Sequence, residues 1–432
     1  MSEQSTFQIL YEIVRKAVTT NVGIELLSKE DIIDNVNALI MPPKVSTVRL
    51  NKLCEEPTQL TNLAFRIFQQ QEFVIRKLEA LKDIVFIDSV GPFDIKPKKR
   101  RVIVSVECAQ AVLRGSHVFA PGILAIENDP TQDCHVSVWA DLESRCTRGY
   151  RKRYDRKTQF IANGLLMINR DQLFKPVNPP VRGVAIEIVE LEWRMPSFDL
   201  LPKACFFPQN LPSFLAVLEL DVIPGMKVLD MCASPGGKAS HIAAQLDNIG
   251  ELVAIDKNPT KVTQLIKTLS LLNVTCAKIE QADSTTLLST QTGLNKAVDF
   301  QEGSFDRILL DPPCSGLGQR PLLTLNKGCS LNSSYSCYQR RLLAVAIRLL
   351  KPGGLLVYST CTITVAENEC NILHILENND QIELVGSNYP EFSSPGLPIQ
   401  GLNHNLVRRF WPASPQDTIG FFYAKLRKCV QV

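Results

Sequence analysis

Asp230-Met231-Cys232-Ala233-Ser234-Pro235-Gly236-Gly237-Lys238 decides how this chain folds. The apolar run 227–231 before it reads as a strand. Ala239, Ile242, Ala243 and Leu246 after it mark one face of a helix. A strand that breaks into a helix through small residues is the opening unit of an α/β sheet. Ligands of such sheets sit beyond the strand tips, over the first helix's N-terminus. The spacing is not G-x-G-x-x-G, so a dinucleotide fits it poorly.

Outward from that turn the pattern repeats. Residues 251–256, 274–279, 305–311 and 355–359 read as strands, and 259–272 and 335–350 as helices. Units of this length imply right-handed crossovers, so 196–430 is expected to form a doubly wound, Rossmann-like domain. Asp256 ends the second strand, where a carboxylate can accept both hydroxyls of a ribose. Asp283 follows the third, placed for an adenine amino group. A glycine turn and two acids without a phosphate cradle suit S-adenosylmethionine better than an ordinary tight turn.

The fourth strand ends in Asp311-Pro312-Pro313-Cys314-Ser315-Gly316 and the fifth in Tyr358-Ser359-Thr360-Cys361. Thr364 and Glu367 are spaced as a capping box for the following helix. A lone cysteine is most often a small buried hydrophobe, the reading given to Cys54, Cys276 and Cys429. Two cysteines at neighbouring strand tips beside a cofactor site point instead to a thiolate nucleophile. Its natural target is a pyrimidine, whose carbon 5 becomes nucleophilic once sulfur adds at carbon 6. Asp311 is placed to hold the ring's N3 edge. The pattern alone leaves open which cysteine attacks: a cysteine after a proline, as in DNA cytosine methyltransferases, would be Cys314.

These motifs resemble the Nop/Sun family of RNA (cytosine-5) methyltransferases. The likeness rests on D-M-C-A-S-P-G-G-K at 230–238, D-P-P-C-S-G at 311–316 and S-T-C-T at 359–362. E-N-E at 367–369 and G-F-F at 420–422 complete it. It implies a class I methyltransferase domain with Cys361 as nucleophile, Cys314 assisting release, and Asp311 and Lys238 at the reacting groups. It places S-adenosylmethionine on Cys232, Ala233, Ser234, Pro235, Gly236, Gly237, Lys238, Asp256, Asp283 and Asp311. Arg409 is followed by Phe410-Trp411-Pro412, where many members have Pro-His, so no histidine stands at that place.

Upstream, 1–95 alternates helical and extended patterns, as in a small α+β module. Residues 44–51 and 84–87 read as strands, and 24–40 as loosely helical. Leu60, Leu63, Ile67, Val74, Leu78 and Leu81 fit one long amphipathic helix. From 101 to 193 short strands follow at 102–106, 136–139, 158–161, 165–168 and 184–189, the texture of a small β-barrel. L-R-G-S-H-V-F-A-P-G at 113–122 and Asn163-Gly164 resemble a PUA RNA-binding domain. In the family, a PUA domain ahead of the catalytic domain implies a tRNA substrate methylated near the 3′ end of the acceptor stem. Basic clusters at 96–101 and 145–157 bracket this module. A solvated loop is the plain reading of such runs; a phosphate-binding face is the other. Arg114, Phe119, Lys152, Arg153 and Asn163 are the candidate RNA contacts.

Composition sets the remaining limits. Hydrophobic residues make up 45% and charged residues 21% of 432, which supplies substantial cores and excludes a disordered chain. Lys plus Arg is 47 and Asp plus Glu is 44, so the net charge of +3 does not by itself require nucleic acid. Thirteen cysteines without any C-x-x-C argue against a structural zinc or a secreted disulfide framework. Residues 1–15 match neither a signal nor a transit peptide, and no long apolar run spans a membrane. A monomer in the cytoplasm, with neither metal nor membrane, is expected. Two other functions compete. Asp-Pro-Pro also marks amino-group methyltransferases, but these need an aromatic residue where Cys314 stands. A scaffold that has lost catalysis would not need both cysteines and the cofactor acids.

Overall fold

A computed structural model describes residues 6–19, 25–127, 132–174, 181–288, 299–324 and 334–430. Helices α1 (Thr6–Ala17) and α2 (Lys29–Ile40) come first. Ser28 caps α2, with the Asp31 amide donating to its Oγ at 3.0 Å and the Asp31 carboxylate accepting in return. Leu10, Val14, Ile32, Val36 and Leu39 of the pair bury against Leu317, Leu322, Ile363 and Val365. The first two helices therefore brace the loops that carry both motif cysteines.

An antiparallel sheet follows: β1 (Val45–Leu50), then helix α3 (Pro57–Gln70), β2 (Val74–Leu78) and β3 (Leu81–Asp88). The long helix expected through Leu81 ends at Gln70. Glu72 takes a positive φ of 62°, which stops the helix, and Val74, Leu78 and Leu81 belong to a β-hairpin. Phe206–Pro208, on the far side of the middle unit, adds a fourth strand beside β1. Cys54 and Cys205 form a disulfide across that junction, with Cα atoms 5.2 Å apart. This corrects the reading of Cys54 as an isolated hydrophobe; Cys276 and Cys429 are half-buried free thiols.

The middle unit holds β4 (Arg101–Val104), α4 (Val106–Leu113), β5 (Val118–Phe119), β6 (Ile123–Ile126), β7 (His135–Asp141), β8 (Thr158–Leu166), α5 (Arg170–Phe174) and β9 (Val184–Leu191). They form a six-stranded mixed sheet in the order β5-β9-β8-β7-β4-β6 around Val104, Val118, Val138, Ala162 and Ile186. Val106 starts a helix rather than ending a strand, because Ser105 accepts from the Cys108 amide as an N-cap. The two strands expected at 158–161 and 165–168 are one. Gly164 lets it pass β9, where a Cβ would stand 2.5 Å from the Glu187 carbonyl oxygen.

After β10 (Phe206–Pro208) and α6 (Leu211–Leu218) the chain builds its largest sheet. Its strands are β11 (Lys227–Asp230), β12 (Glu251–Asp256), β13 (Ala277–Gln281), β14 (Phe305–Leu310), β15 (Leu350–Thr360), β16 (Ile382–Val385), β17 (Ser394–Pro395), β18 (Val407–Phe410) and β19 (Phe421–Lys428). The order is β13-β12-β11-β14-β15-β19-β18-β17, with β16 also on β19. The first five are parallel and β19 is antiparallel to β15. Helices α7 (Gly237–Gln245), α8 (Pro259–Leu271), α9 (Ser334–Leu349) and α10 (Glu369–Glu377) cover it. Val228, Leu309 and Val357 pack into one apolar cluster with α7, while Leu229, Ile308, Leu356 and α9 share another. Strand order reverses between β11 and β14, which opens a crevice at their carboxyl ends. Among the described residues no helix is long and apolar enough to cross a membrane.

Candidate active site

Gly236 makes the turn out of β11 at φ +107°, a conformation that disfavours any Cβ, and α7 starts at Gly237. A cavity of about 590 Å³ opens over it, lined by Cys232, Ser234, Asp256, Asn258, Ser284 and Tyr338 among others. Asp256 accepts from the Asn258 amide at 2.9 Å. Asp283 accepts from the Thr285 amide and hydroxyl and pairs with Lys257 at 2.9 Å. A carboxylate offers about four acceptor positions, so one remains. Ala282 and Ser284, on either side of Asp283, line the cavity. Ala233 is buried, and with Ser234 and Pro235 it lines a second, adjoining cavity of about 380 Å³. The second cavity is walled by Phe207, Gln209, Asn210, Lys238 and Gln319. Asp311 and Cys361 line both, so the two spaces meet at these groups.

Asp311 is fixed from two sides: Lys238 Nζ donates to one carboxylate oxygen at 2.7 Å and Ser359 Oγ to the other at 2.8 Å. Burial alone would lower Lys238; the Asp311 charge and hydrogen bond outweigh it and hold the ammonium above its ordinary value. Phe421 of the G-F-F motif lies under that ammonium, 5.7 Å from ring centre to Nζ. Asp230, 1% exposed, is pushed up to about 7, first by burial and then by the Asp311 charge. Its Oδ2 has no protein partner.

Cys314 and Cys361 meet with their sulfurs 3.4 Å apart. The pair is asymmetric. The hydrogen bond between them lowers Cys361, helped by Gln319 and the Lys238 charge against burial and the Asp311 charge. The same bond raises Cys314 well above the ordinary thiol value, reinforced by burial and the charges of Cys361, Glu367 and Asp311. Gln319 and the Lys238 charge thus favour a thiolate at Cys361, while the Glu367 charge works against one at Cys314. Gly318 brings its chain against the Cys361 loop: its amide donates to the Cys361 carbonyl at 2.9 Å, and a Cβ there would lie 1.9 Å from the Gly420 oxygen.

Thr364 and Glu367 do bond each other, at 2.9 Å, but not as a capping box. α10 begins at Glu369 behind Asn368, and Glu367 turns to the D-P-P-C-S-G loop, accepting the Ser315 amide at 3.0 Å. In the middle unit Arg114, Lys152 and Arg153 are exposed, and Phe119 is 50% exposed. Phe119 lines a cavity of about 1150 Å³ with Lys96, Lys98, His117 and Arg194; Lys152 and Arg153 are not among its lining residues. Asn163 does not join that face. It is fully buried, donating to Lys96 O and Glu190 and accepting from the Lys98 amide, so its amide is committed to the fold. Sequence reading missed Ser359, Gln319 and Gln209 as site residues. The first two lie in or beside the quoted motifs, whereas Gln209 gives no local signal.

Residues 217–427 match the family model described as 16S rRNA methyltransferase RsmB/F. The mouse tRNA (cytosine(72)-C(5))-methyltransferase NSUN6 is 36% identical over 421 residues, covering 90% of this chain and 88% of the relative. The chain belongs to the Nop/Sun family of RNA (cytosine-5) methyltransferases. It is a cytosine-C5 methyltransferase that uses S-adenosylmethionine. The tRNA (cytosine(72)-C(5))-methyltransferase of Pyrococcus horikoshii is 31% identical across 78% of this chain and 77% of its own. The crystal structure of NSun6 from that organism, with the cofactor analogue SFG, superposes at a TM-score of 0.79. It covers 98% of both chains at 27% identity. In this chain the D-P-P-C-S-G and S-T-C-T loops meet at the sulfurs.

Proposed function

We propose that this chain methylates carbon 5 of a cytosine in tRNA, near the 3′ end of the acceptor stem, through a covalent bond between Cys361 and carbon 6. The observation that carries the reading is the asymmetric sulfur pair, 3.4 Å apart, beside the Lys238–Asp311 ion pair. The names of the mouse and P. horikoshii relatives support the tRNA and its position 72. When bound, S-adenosylmethionine supplies an electrophilic methyl carbon; Asp256, Asp283 and the turn 232–237 are the residues that would hold it. The unpartnered Asp230 Oδ2 beneath that turn and the open cavity above it fit such a group.

The chain's own residues then divide the work. The target ring occupies the smaller cavity, with Asp311 on its N3 edge and Lys238 holding that carboxylate in place. The Cys361 thiolate adds to carbon 6; the π pair of the 5,6 bond shifts toward carbon 5, which would take the methyl carbon while the pair of the broken sulfur–methyl bond stays on the departing neutral thioether. Once bonded to carbon, Cys361 no longer carries charge. The largest influence raising Cys314 is then gone, so Cys314 can give its proton to solvent and act as base. It takes the proton from carbon 5. That electron pair restores the 5,6 double bond, the sulfur–carbon bond breaks, and Cys361 returns as thiolate.

The middle unit reads best as a PUA domain that holds the unpaired 3′ end. Phe119 offers a face for stacking a base, and Arg114, Lys152 and Arg153 supply cations for phosphates. Mapping 5-methylcytosine by sequencing in tRNA treated with the pure protein tests the whole reading. Methylation should fall at one acceptor-stem cytosine and drop sharply when the unpaired 3′ nucleotides are removed. Methylation elsewhere, or indifference to that truncation, contradicts it.

A further inference from the structure

Glu367 is 4% exposed and makes no ion pair among the described residues. One of its oxygens accepts from the Ser315 amide at 3.0 Å and from Gln339 Nε2 at 2.9 Å; the other accepts from Thr364 Oγ1 at 2.9 Å. Ser315 follows Cys314, and Thr364 lies three residues beyond Cys361. Gln339 also donates to the Pro313 carbonyl at 2.9 Å, so Cys314 is gripped on both sides. A second tie joins the same loops, Ser315 Oγ to Thr362 Oγ1 at 2.7 Å. The Glu367 backbone is itself anchored, its carbonyl accepting from Tyr358 Oη at 2.7 Å and Asn371 Nδ2 at 3.1 Å.

We propose that Glu367 is a positioning residue for the methyl-transfer reaction, clamping the two cysteine loops with its carboxylate on the Cys314 side. The charged and titratable groups around the sulfurs are Asp311 and Lys238 from the site, Tyr358 from β15, and Glu367. Lys238 lies on the Cys361 side. A carboxylate with no neighbouring cation lies on the Cys314 side and disfavours charge there. Geometry and charge thus act together: the clamp holds the two loops against each other, and the carboxyl group beside Cys314 works against charge on that sulfur.

The test is iodoacetamide alkylation of the full chain across pH, with Cys314 and Cys361 followed separately by peptide mass spectrometry. Glu367→Gln can keep the clamp, since its amide oxygen accepts from Ser315 and its amide nitrogen donates to Thr364. The charge alone is lost. Cys314 should then alkylate with a midpoint about one pH unit lower, and the preference for Cys361 at neutral pH should fall about tenfold. Glu367→Asp keeps the charge and shortens the clamp, so the preference should persist while methylation falls; this variant carries the test if the amide variant does not fold. An unchanged ratio in Glu367→Gln, or a lost preference in Glu367→Asp, overturns the assignment. The inference rests on Cys361 being the nucleophile, but alkylation is read without RNA. A shifted ratio with unaltered methylation would therefore sink the positioning role of Glu367, whereas a crosslink to RNA that needs Cys314 and not Cys361 would sink the Cys361 reading.

Discussion

Asp230 ends β11 with one oxygen on the Cys232 amide and the other without a protein partner, and burial pushes its carboxyl up from 3.8 to about 7. Between those values the folded chain binds more protons than the unfolded one, so stability falls as pH climbs and the penalty is complete above pH 7. Asp230→Asn should be near neutral at about pH 3.5 and stabilise by roughly 2–4 kcal/mol at pH 8.5, read from denaturant unfolding at both pH values. Asp256 carries a different expectation. If it holds the ribose diol, Asp256→Ala loses roughly tenfold to a hundredfold in S-adenosylmethionine affinity by calorimetry, as charged hydrogen bonds are worth about 1.5–3 kcal/mol. Wild-type affinity would remove it from the site. Both were legible as strand-tip positions, Asp230 inside a quoted motif and Asp256 from its distance to the glycine turn. Glu367 was legible only as a motif letter. Its partner Ser315 is 52 residues away, and local spacing pointed to a capping box instead.

At the scale of elements, E-N-E is a structural device behind the Cys361 loop. Asn368 accepts from Thr360 Oγ1 at 2.6 Å and donates to the Thr362 carbonyl at 3.0 Å, bracketing Cys361. Glu369 forms a buried ion pair with Arg409, which also donates to the Ile363 carbonyl. Removing one partner leaves a buried charge unpaired, so Arg409→Leu should cost about 3–5 kcal/mol by thermal or denaturant unfolding. Where elements were misread, two periods competed. Leu60, Leu63 and Ile67 are helical, but Val74 and Leu78 also fit the alternation of an exposed hairpin strand, and nothing local announces the left-handed Glu72. The strand Phe206–Pro208 pairs with β1 across more than 150 residues of chain, a partnership that no window of sequence contains.

Across the whole molecule the N-terminal helices, the middle unit and the largest sheet's unit converge on one loop. Arg320, beyond the D-P-P-C-S-G motif, donates to the carbonyls of Ala38, Met41, Pro42, Pro412 and Thr418, and Gln110 of the middle unit donates to Pro321 O at 2.7 Å. Leu323 packs into the middle unit's core. The doubly wound order was legible from repeated strand–helix patterns; this convergence was not, because it depends on packing between units distant in sequence. If the middle unit docks tRNA, replacing Lys152 and Arg153 together with alanine should weaken binding and reduce the slope of log affinity against log salt by about two. An unchanged slope moves the RNA face elsewhere.

The central claim is the division of labour between the sulfurs, and a denaturing gel of protein incubated with tRNA and S-adenosylmethionine reads it directly. Methyl transfer precedes loss of the enzyme sulfur. Cys314→Ala should therefore methylate once and stay crosslinked to RNA, while Cys361→Ala binds RNA and forms no adduct. A crosslink that accumulates with Cys361→Ala and is absent with Cys314→Ala would contradict the account.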